Sequence, residues 1–134
     1  MNETAAIDFA NQAFYEAFAA VDLNAMAAIW AMSVPVSCSH PGTSPIFGRD
    51  AVLRSWSGIF SGASKFPIRH RAIRVEAVGN IGIAHTIEIL EGGTLLATNL
   101  FIKEGKVWRM IHHHAGPTTF DLEAISEPPT DSVN

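Results

Sequence analysis

Apolar positions recur at helical spacing through the first third of the chain. Their three- and four-residue steps place them on one face of a helix, which predicts an amphipathic helix over residues 3–21. The stripe consists of Ile7, Ala10, Phe14, Phe18 and Val21. A helix with one apolar face must cover another element, so we expect it to pack against a sheet or a second helix.

Two shorter helices are predicted further along. The stretch "DLNAMAAIWAM" begins with Asp22, a residue type that commonly caps a helix N-terminus. The stretch "GRDAVLRSWSGIFSG" at 48–62 returns to helical spacing. Between them, residues 34–45 predict a short strand-like piece followed by a Pro/Gly turn.

After Pro67 the pattern changes from helical spacing to strands. Four β-segments are predicted at 68–78, 81–90, 95–103 and 107–115, separated by the turn sequences "GN", "EGGT" and "EG". Consecutive strands joined by short turns form an antiparallel meander. The chain is therefore expected to be an α+β domain, with its N-terminal helices packed on one face of a curved antiparallel sheet.

Composition agrees with one globular domain. The chain has 134 residues, of which 48% are hydrophobic and 16% charged, enough to bury a genuine core and to leave a rather apolar surface. Such a surface suggests an apolar pocket, an oligomer interface, or both. We expect a single domain over 1–117 and a polar, loosely ordered tail over 118–134.

Charge and targeting patterns exclude several classes of partner. The net charge of −4 and the absence of a Lys/Arg cluster argue against nucleic-acid binding. No apolar run approaches the length of a membrane span, and the N-terminus has no basic region followed by an apolar core.

The single cysteine, Cys38, suits a reducing compartment, so a cytoplasmic location is expected. No phosphate loop or dinucleotide fingerprint is present, so no cofactor is expected.

The turns allow side chains to be assigned to sheet faces. We take Gly79-Asn80, Gly92-Gly93 and Glu104-Gly105 as two-residue turns, because directly paired residues then share a face. One face would carry Arg71, Ile73, Thr86, Glu88, Asn99, Phe101, Trp108, Met110, His112 and His114. The other would carry His85, Ile87, Ile89, Leu96, Leu100, Arg109, Ile111 and His113.

These two faces suggest different roles. The first mixes aromatic and polar groups, as a small-molecule pocket does. The second is largely aliphatic, and because the helices can cover only one face, we expect it to pair with a second copy in a homodimer.

One row of the predicted pocket face contains the candidate chemistry. Arg71, Glu88, Ala97 and His112 would lie side by side, with Glu88 and His112 about 10 Å apart at the backbone across the small Ala97. The Glu88 carboxylate would then orient the His112 imidazole and raise its pKa. The alternative is that Glu88 forms an ion pair with Arg71.

Three sequence blocks resemble a known family. They are "CSHPGTSPIFGRDAVLRSW" at 38–56, "ATNLFIKEGKVWRM" at 97–110 and "IHHHAGP" at 111–117. The chain resembles a SnoaL-like domain of the nuclear transport factor 2-like superfamily. Its last strand is also similar to the association domain of calcium/calmodulin-dependent kinase, in which Trp is followed after three residues by His-x-His, a small residue and Gly.

The resemblance implies a cone-like fold in which helices close over the concave face of a strongly bent sheet, around a pocket, often in a dimer. Members include polyketide cyclases, steroid isomerases, dehydratases and non-catalytic binding modules. The cyclases and isomerases rely on an aspartate in the pocket, and no aspartate of this chain lies in the four-strand region. The resemblance implies that Tyr15, on the first helix, would occupy the position at which the isomerases have a tyrosine acid.

These observations predict a protein that binds a small, largely apolar molecule. If it is an enzyme, it would perform acid–base chemistry such as isomerisation, cyclisation or hydration, with His112 and Glu88 as catalytic residues. The predicted pocket residues are Tyr15, His40, Trp56, Thr86, Asn99, Met110 and His114.

Two alternatives to this function stay open. The first is a non-catalytic ligand-binding or association module. The second is a metal-dependent enzyme using His112 and His114, which are about 6.6 Å apart along a strand. That second alternative lacks an evident third ligand, and a catalytic metal normally has three protein ligands.

Overall fold

Three helices precede the long strands. The computed structural model describes residues 2–119, and the part of the predicted tail from residue 120 onward lies outside this range. Helix α1 spans Glu3–Ala20, α2 Leu23–Ile29 and α3 Arg49–Phe60. As predicted, Asp22 caps α2, and its side chain accepts a hydrogen bond from a backbone N–H in the first turn.

The strands form one six-stranded sheet. They are β1 (Ser37–Ser39), β2 (Ile46–Phe47), β3 (Arg69–Val78), β4 (Ile81–Leu90), β5 (Gly93–Glu104) and β6 (Val107–Pro117). Their order is β2-β1-β6-β5-β4-β3. The last four form the predicted antiparallel meander, so the α+β fold class is confirmed. No helix within residues 2–119 is both long and apolar enough to cross a bilayer.

The short strands β1 and β2 extend the sheet beyond β6. Strand β1 lies parallel to β6, with Cys38 opposite His113, and antiparallel to β2. The sequence predicted one short strand-like piece here and no second strand. Strands of two or three residues are too short to show an alternation of apolar and polar positions.

Helix α1 lies across the sheet with its apolar stripe inward. Ile7 is fully buried, and a Cβ atom built on Gly82 of β4 would lie 2.8 Å from Ile7 Cγ1 and Cδ1. A side chain at position 82 would push against the helix. Glycine is therefore what allows α1 to approach β4 this closely.

Two of the three hairpin turns differ from the prediction by a shift that leaves the faces unchanged. The turn at Gly79-Asn80 is as predicted. The next is Glu91-Gly92, because Leu90 pairs with Gly93, and the last is Gly105-Lys106. Each pairing therefore slips by two residues. Side chains alternate with a period of two, so this slip moves residues along a face and not across it.

A β-bulge in β6 reverses the predicted orientation of the histidine triplet. Phe101 pairs with Met110, whereas Leu100 pairs with His112, so Ile111 is an extra residue in the ladder. Beyond the bulge, Asn99 pairs with His113. The prediction that His112 and His114 face the pocket is therefore wrong, and His113 is the residue that points inward.

A second bulge, in β3, breaks the predicted row at its other end. The ladder shifts at Ile73, because Ala72 pairs with Thr86 and the next pairing begins at Arg74. As a result His70, and not Arg71, lies opposite Glu88. The predicted Arg71–Glu88–Ala97–His112 row does not exist. The alternative prediction, an ion pair between Arg71 and Glu88, depended on the same pairing and is also wrong.

Candidate functional site

Six polar side chains form a connected network inside the fold, where helix α1 faces strands β4, β5 and β6. All are buried, the most exposed being only 2% accessible. The members are Asn11, Tyr15, Thr86, Glu88, Asn99 and His113. Burying so many polar groups is tolerable only because they satisfy one another.

Regular secondary structure brings these side chains together. Asn11 and Tyr15 are four residues apart on α1, which places both on one face of the helix. Thr86 and Glu88 are two residues apart on β4, which places both on the inner face of the sheet. Because of the bulge in β6, Asn99 on β5 pairs with His113 on β6, and both side chains point inward.

Asn99 lies at the centre of the network. Its amide nitrogen Nδ2 donates to Asn11 Oδ1 at 2.9 Å and to the Tyr15 hydroxyl oxygen at 3.0 Å. Its oxygen Oδ1 lies 2.6 Å from His113 Nδ1. Since Oδ1 can only accept, His113 Nδ1 is the donor. Asn99 thus uses both amide protons and its carbonyl oxygen within the protein.

The network continues to a carboxyl group. The Tyr15 hydroxyl receives a hydrogen bond from Asn99 and donates its own proton to Glu88 Oε2 at 2.7 Å. On the other branch, Asn11 Nδ2 donates to Thr86 Oγ1 at 3.0 Å. Tyr15 also stacks on the His70 ring, with ring centroids 4.5 Å apart, which further restricts the phenol.

The burial of the site changes the pKa values of its ionisable groups. Burial raises the pKa of Glu88 to about 7, opposed by the hydrogen bond from Tyr15. Burial, and then the positive charges that His40, His112 and His114 would bear, lowers the pKa of His113 to about 3. His113 is therefore neutral at pH 7. Its Nε2 lies 3.7 Å from Glu88 Oε2, and this contact is not an ion pair.

An apolar cavity lies beside Glu88 and His113. Its volume is about 170 Å³. Its apolar walls are Phe18, Pro41, Ile59, Phe66, Ile68, Leu90 and Leu95. The polar side chains that line it are His40, Glu88 and His113. A small cavity with apolar walls and a few convergent polar groups has the composition of a ligand site.

His40 enters the cavity from the loop after β1. Its Nε2 lies 2.9 Å from Ser55 Oγ on α3, and its ring stands edge-on to Trp56 with centroids 4.8 Å apart. Burial lowers the pKa of His40. Trp56 itself is fully buried among the core aromatic rings and packs within 5.9 Å of the His113 ring.

The structure gathers some of the predicted site residues and separates others. Tyr15, Thr86, Glu88 and Asn99 meet in the network, and His40 lines the cavity. Met110 lies in the core, where its backbone carbonyl pairs with the N–H of Ala31. Met110, like Trp56, supports the site without lining the cavity.

His112 and His114 lie on the opposite face of the sheet. The His112 Nδ1 atom is 2.8 Å from Ser37 Oγ, and the two imidazole centroids are 6.4 Å apart. Burial and the neighbouring His114 lower the pKa of His112, the reverse of the predicted effect of Glu88. Among residues 2–119, no three His, Cys, Asp or Glu side chains converge as metal ligands.

Sequence reasoning missed two members of the network. Asn11 interrupts the apolar face of α1 four residues after Ile7, and a polar residue in that position is the signal that could have identified it. His113 was assigned to the outer face because nothing in a run of three histidines marks which residue the bulge adds.

Comparisons with known proteins agree with this architecture. Residues 7–119 match the SnoaL-like domain family model. The F-box protein SKIP8 of Arabidopsis thaliana is 28% identical over 124 residues, which cover 91% of this chain and 54% of that protein. The chain thus spans about half the length of this curated relative.

Solved structures have the same fold. A protein from Thiobacillus denitrificans described as a calcium/calmodulin-dependent protein kinase type II association domain is 34% identical, with a TM-score of 0.75 over 84% of this chain and 94% of its own. A protein of the NTF2-like family from Streptomyces avermitilis, described as a dehydratase, is 25% identical, with a TM-score of 0.77 over 87% and 96%. The chain therefore belongs to the SnoaL-like domain family and has the cone-like fold of the nuclear transport factor 2-like superfamily.

Proposed function

We propose that this protein binds a small, largely apolar organic molecule in the cavity and catalyses a proton transfer on it, with Glu88 as the acid–base group. The observation that supports this most directly is the position of Glu88. It is buried, it lines the apolar cavity, and Tyr15 holds its carboxyl group in one orientation. Buried carboxyl groups with a shifted pKa are typical of catalytic sites.

The pKa of Glu88 suits proton transfer in both directions. At about 7, it leaves comparable amounts of carboxylate and carboxylic acid at neutral pH. The carboxylate can take a proton from one substrate atom, and the resulting acid can return it to another. That cycle moves one proton within the substrate and restores Glu88, as an isomerisation or a dehydration requires.

Tyr15 and Asn99 act through Glu88 as positioning residues. Both amide protons of Asn99 and its carbonyl oxygen are used within the network, so Asn99, predicted as a pocket residue, has no amide proton left to donate to a substrate oxygen. The catalytic role predicted for His112 falls to Glu88 alone in this proposal, because His112 lies on the other side of the sheet.

A screen of small neutral substrates for isomerisation and dehydration tests this proposal. Turnover found with the wild type should fall at least about a hundredfold in Glu88→Gln, which keeps the shape and removes the proton transfer. Glu91→Gln is the matched control, because Glu91 is exposed in the turn that follows β4. Turnover that survives unchanged in Glu88→Gln would contradict the proposal.

A second candidate function is a non-catalytic association module, supported by the 34% identity to the Thiobacillus protein described as a kinase association domain. The outer face of the sheet offers a contact surface. Leu96 is 37% exposed, and Ile89 and Leu100 are partly exposed on the same side. An aliphatic face of this kind suits a homodimer with two-fold symmetry. Both functions can coexist, because the cavity and this face lie on opposite sides of the sheet.

A further inference from the structure

The hydrogen bonds of the network fix which ring nitrogen of His113 carries the proton. Asn99 Nδ2 donates to two acceptors, so its other amide atom is the oxygen, and His113 Nδ1–H must donate to it at 2.6 Å. A neutral imidazole has one N–H. The remaining nitrogen, Nε2, is therefore unprotonated and can only accept a hydrogen bond.

His40 has a fixed tautomer for a similar reason. Ser55 Oγ donates its only proton to the carbonyl oxygen of Val52 at 2.6 Å. The contact of 2.9 Å between Ser55 Oγ and His40 Nε2 must then be donated by the imidazole. In the neutral ring this leaves His40 Nδ1 without a proton, so His40 also keeps one nitrogen as an acceptor.

Glu88 adds further acceptor capacity to the cavity. Tyr15 and His113 both contact Oε2, and neither contacts Oε1. The carboxylate form only accepts hydrogen bonds, and the acid form both donates one and accepts. His113 and Glu88 therefore offer acceptors to a ligand, and of these two side chains only protonated Glu88 offers a donor. His40 Nδ1 lies 4.0 Å from the buried thiol of Cys38 and is not counted among these acceptors.

The cavity volume limits the size of the ligand. An apolar cavity of about 150 Å³ is known to hold benzene. At about 170 Å³, this cavity has room for one six-membered ring with a small substituent. Its walls are aliphatic and aromatic, so an anionic ligand would lose its hydration without compensation. For a cation the Glu88 carboxylate is the compensating charge, and the desolvation cost of such a buried pair can exceed its attraction.

We propose that the cavity selects a neutral ligand of one ring that carries a hydroxyl group, held by donation from that hydroxyl to His113 Nε2 beside Glu88. A hydroxyl has one proton to donate and can also accept, so it donates to the imidazole nitrogen and accepts from the acid form of Glu88. Beside the carboxylate form, its one proton still satisfies the imidazole nitrogen. A ketone cannot donate and would leave Nε2 unpaired, which costs about 1–3 kcal/mol for a buried group. The inference rests on the proposed function only in placing the ligand in this cavity.

Binding of a matched ring series tests the inference. Cyclohexanol, cyclohexanone, methylcyclohexane and cyclohexylamine are titrated into the ¹⁵N-labelled protein and followed by NMR. Cyclohexanol should bind about tenfold more tightly than cyclohexanone at pH 8, since one unpaired acceptor corresponds to about that factor. The ratio should narrow at pH 5.5, where protonated Glu88 can donate to the ketone. Equal binding of alcohol and ketone at pH 8, or tighter binding of the charged amine, would overturn the proposal.

The tautomer is measured separately by long-range ¹⁵N–¹H correlation of the histidine side chains. His113 Nδ1 should appear protonated and Nε2 unprotonated, and the reverse would remove the basis of the inference. In His113→Phe the preference for alcohol over ketone should shrink by most of the tenfold factor. If that variant does not fold, the His113 tautomer and the ligand ranking measured on the wild-type protein still decide.

The outcomes separate this inference from the proposed function. Alcohol selectivity in a protein whose turnover does not need Glu88 would uphold the ligand class and remove the catalytic assignment. Glu88-dependent turnover of a substrate without a hydroxyl, together with equal binding of alcohol and ketone, would do the opposite.

Discussion

Asn99 Oδ1 on β5 accepts a hydrogen bond from His113 Nδ1 on β6 at a distance of 2.6 Å, in a fully buried setting. The two residues are paired across the ladder only because Ile111 bulges out of β6. One irregular residue thus determines which member of a histidine triplet enters the interior, and the hydrogen bond then determines its tautomer.

Asn99 should be the network residue whose loss destabilises the fold most. Asn99→Ala leaves His113 Nδ1 without its acceptor and removes one of the two hydrogen bonds of Tyr15 and of Asn11, so the free energy of unfolding should fall by about 3 kcal/mol. Urea denaturation at pH 7 measures this value. Asn80→Ala, at an exposed turn position, is the control and should change stability by less than about 0.5 kcal/mol. A loss below about 1 kcal/mol for Asn99→Ala would show that the network is not structurally important.

The burial of Glu88 should make stability fall as the pH rises. Its folded pKa of about 7 lies above the ordinary value of 4.5, so the folded state binds the proton more tightly than the unfolded state. The stability that this gives is complete below pH 4.5 and is lost as the pH rises to about 7, by roughly 3 kcal/mol. Denaturation of wild type and Glu88→Gln at pH 5 and pH 8 measures the difference. If both proteins show the same dependence on pH over this window, Glu88 is not shifted.

The burial of His113 should make stability fall as the pH decreases. Its folded pKa of about 3 lies below the ordinary value of 6.5, so the unfolded state binds the proton more tightly. The stability that this gives is complete above pH 6.5 and is lost as the pH falls toward 3. In His113→Gln the decline between pH 6 and pH 4 should be smaller than in the wild type, as followed by circular dichroism during denaturant titration. A decline of equal size would place the acid sensitivity elsewhere.

The three adjacent histidines should differ sharply in their effect on ligand binding. His113→Ala should weaken the binding of cyclohexanol about tenfold or more, because it removes the acceptor beside Glu88. His112→Ala and His114→Ala should change it by less than about twofold, since both side chains lie on the outer face. NMR titration of the three variants gives the comparison. A larger effect of His112→Ala than of His113→Ala would support the orientation that regular alternation predicts.

The outer face of the sheet should form the contact of a homodimer. Leu96→Glu places a charge in this aliphatic face and should convert the dimer to a monomer at micromolar concentration. Light scattering coupled to gel filtration measures the mass. Val78→Glu is the control, because Val78 is also an exposed apolar residue but lies in the β3–β4 hairpin. A wild-type protein that is monomeric at this concentration would contradict the dimer.

Much of the fold was predictable because its signals are local. The helix of 18 residues follows from its apolar spacing, and β4 begins and ends at the predicted residues, Ile81 and Leu90. The turn errors did little harm, because a slip of two residues preserves the faces of the sheet. Thr86, Glu88 and Asn99 could therefore be assigned to the site from spacing alone, whereas Tyr15 was assigned to it through the family resemblance.

The sequence by itself determined the α+β class, the order of the elements and the inward side of β4 and β5, because periodicity is a property of neighbouring residues. Only the tertiary structure decided the orientation of β6 and of the N-terminal half of β3. There the bulges at Ile111 and Ile73 each add one residue to the ladder and exchange the two faces. A bulge forms where the curved sheet must fit its helices, and that fit depends on distant residues. For this reason the chemistry of "IHHHAGP" lies in His113, the one histidine that alternation had assigned to the outside.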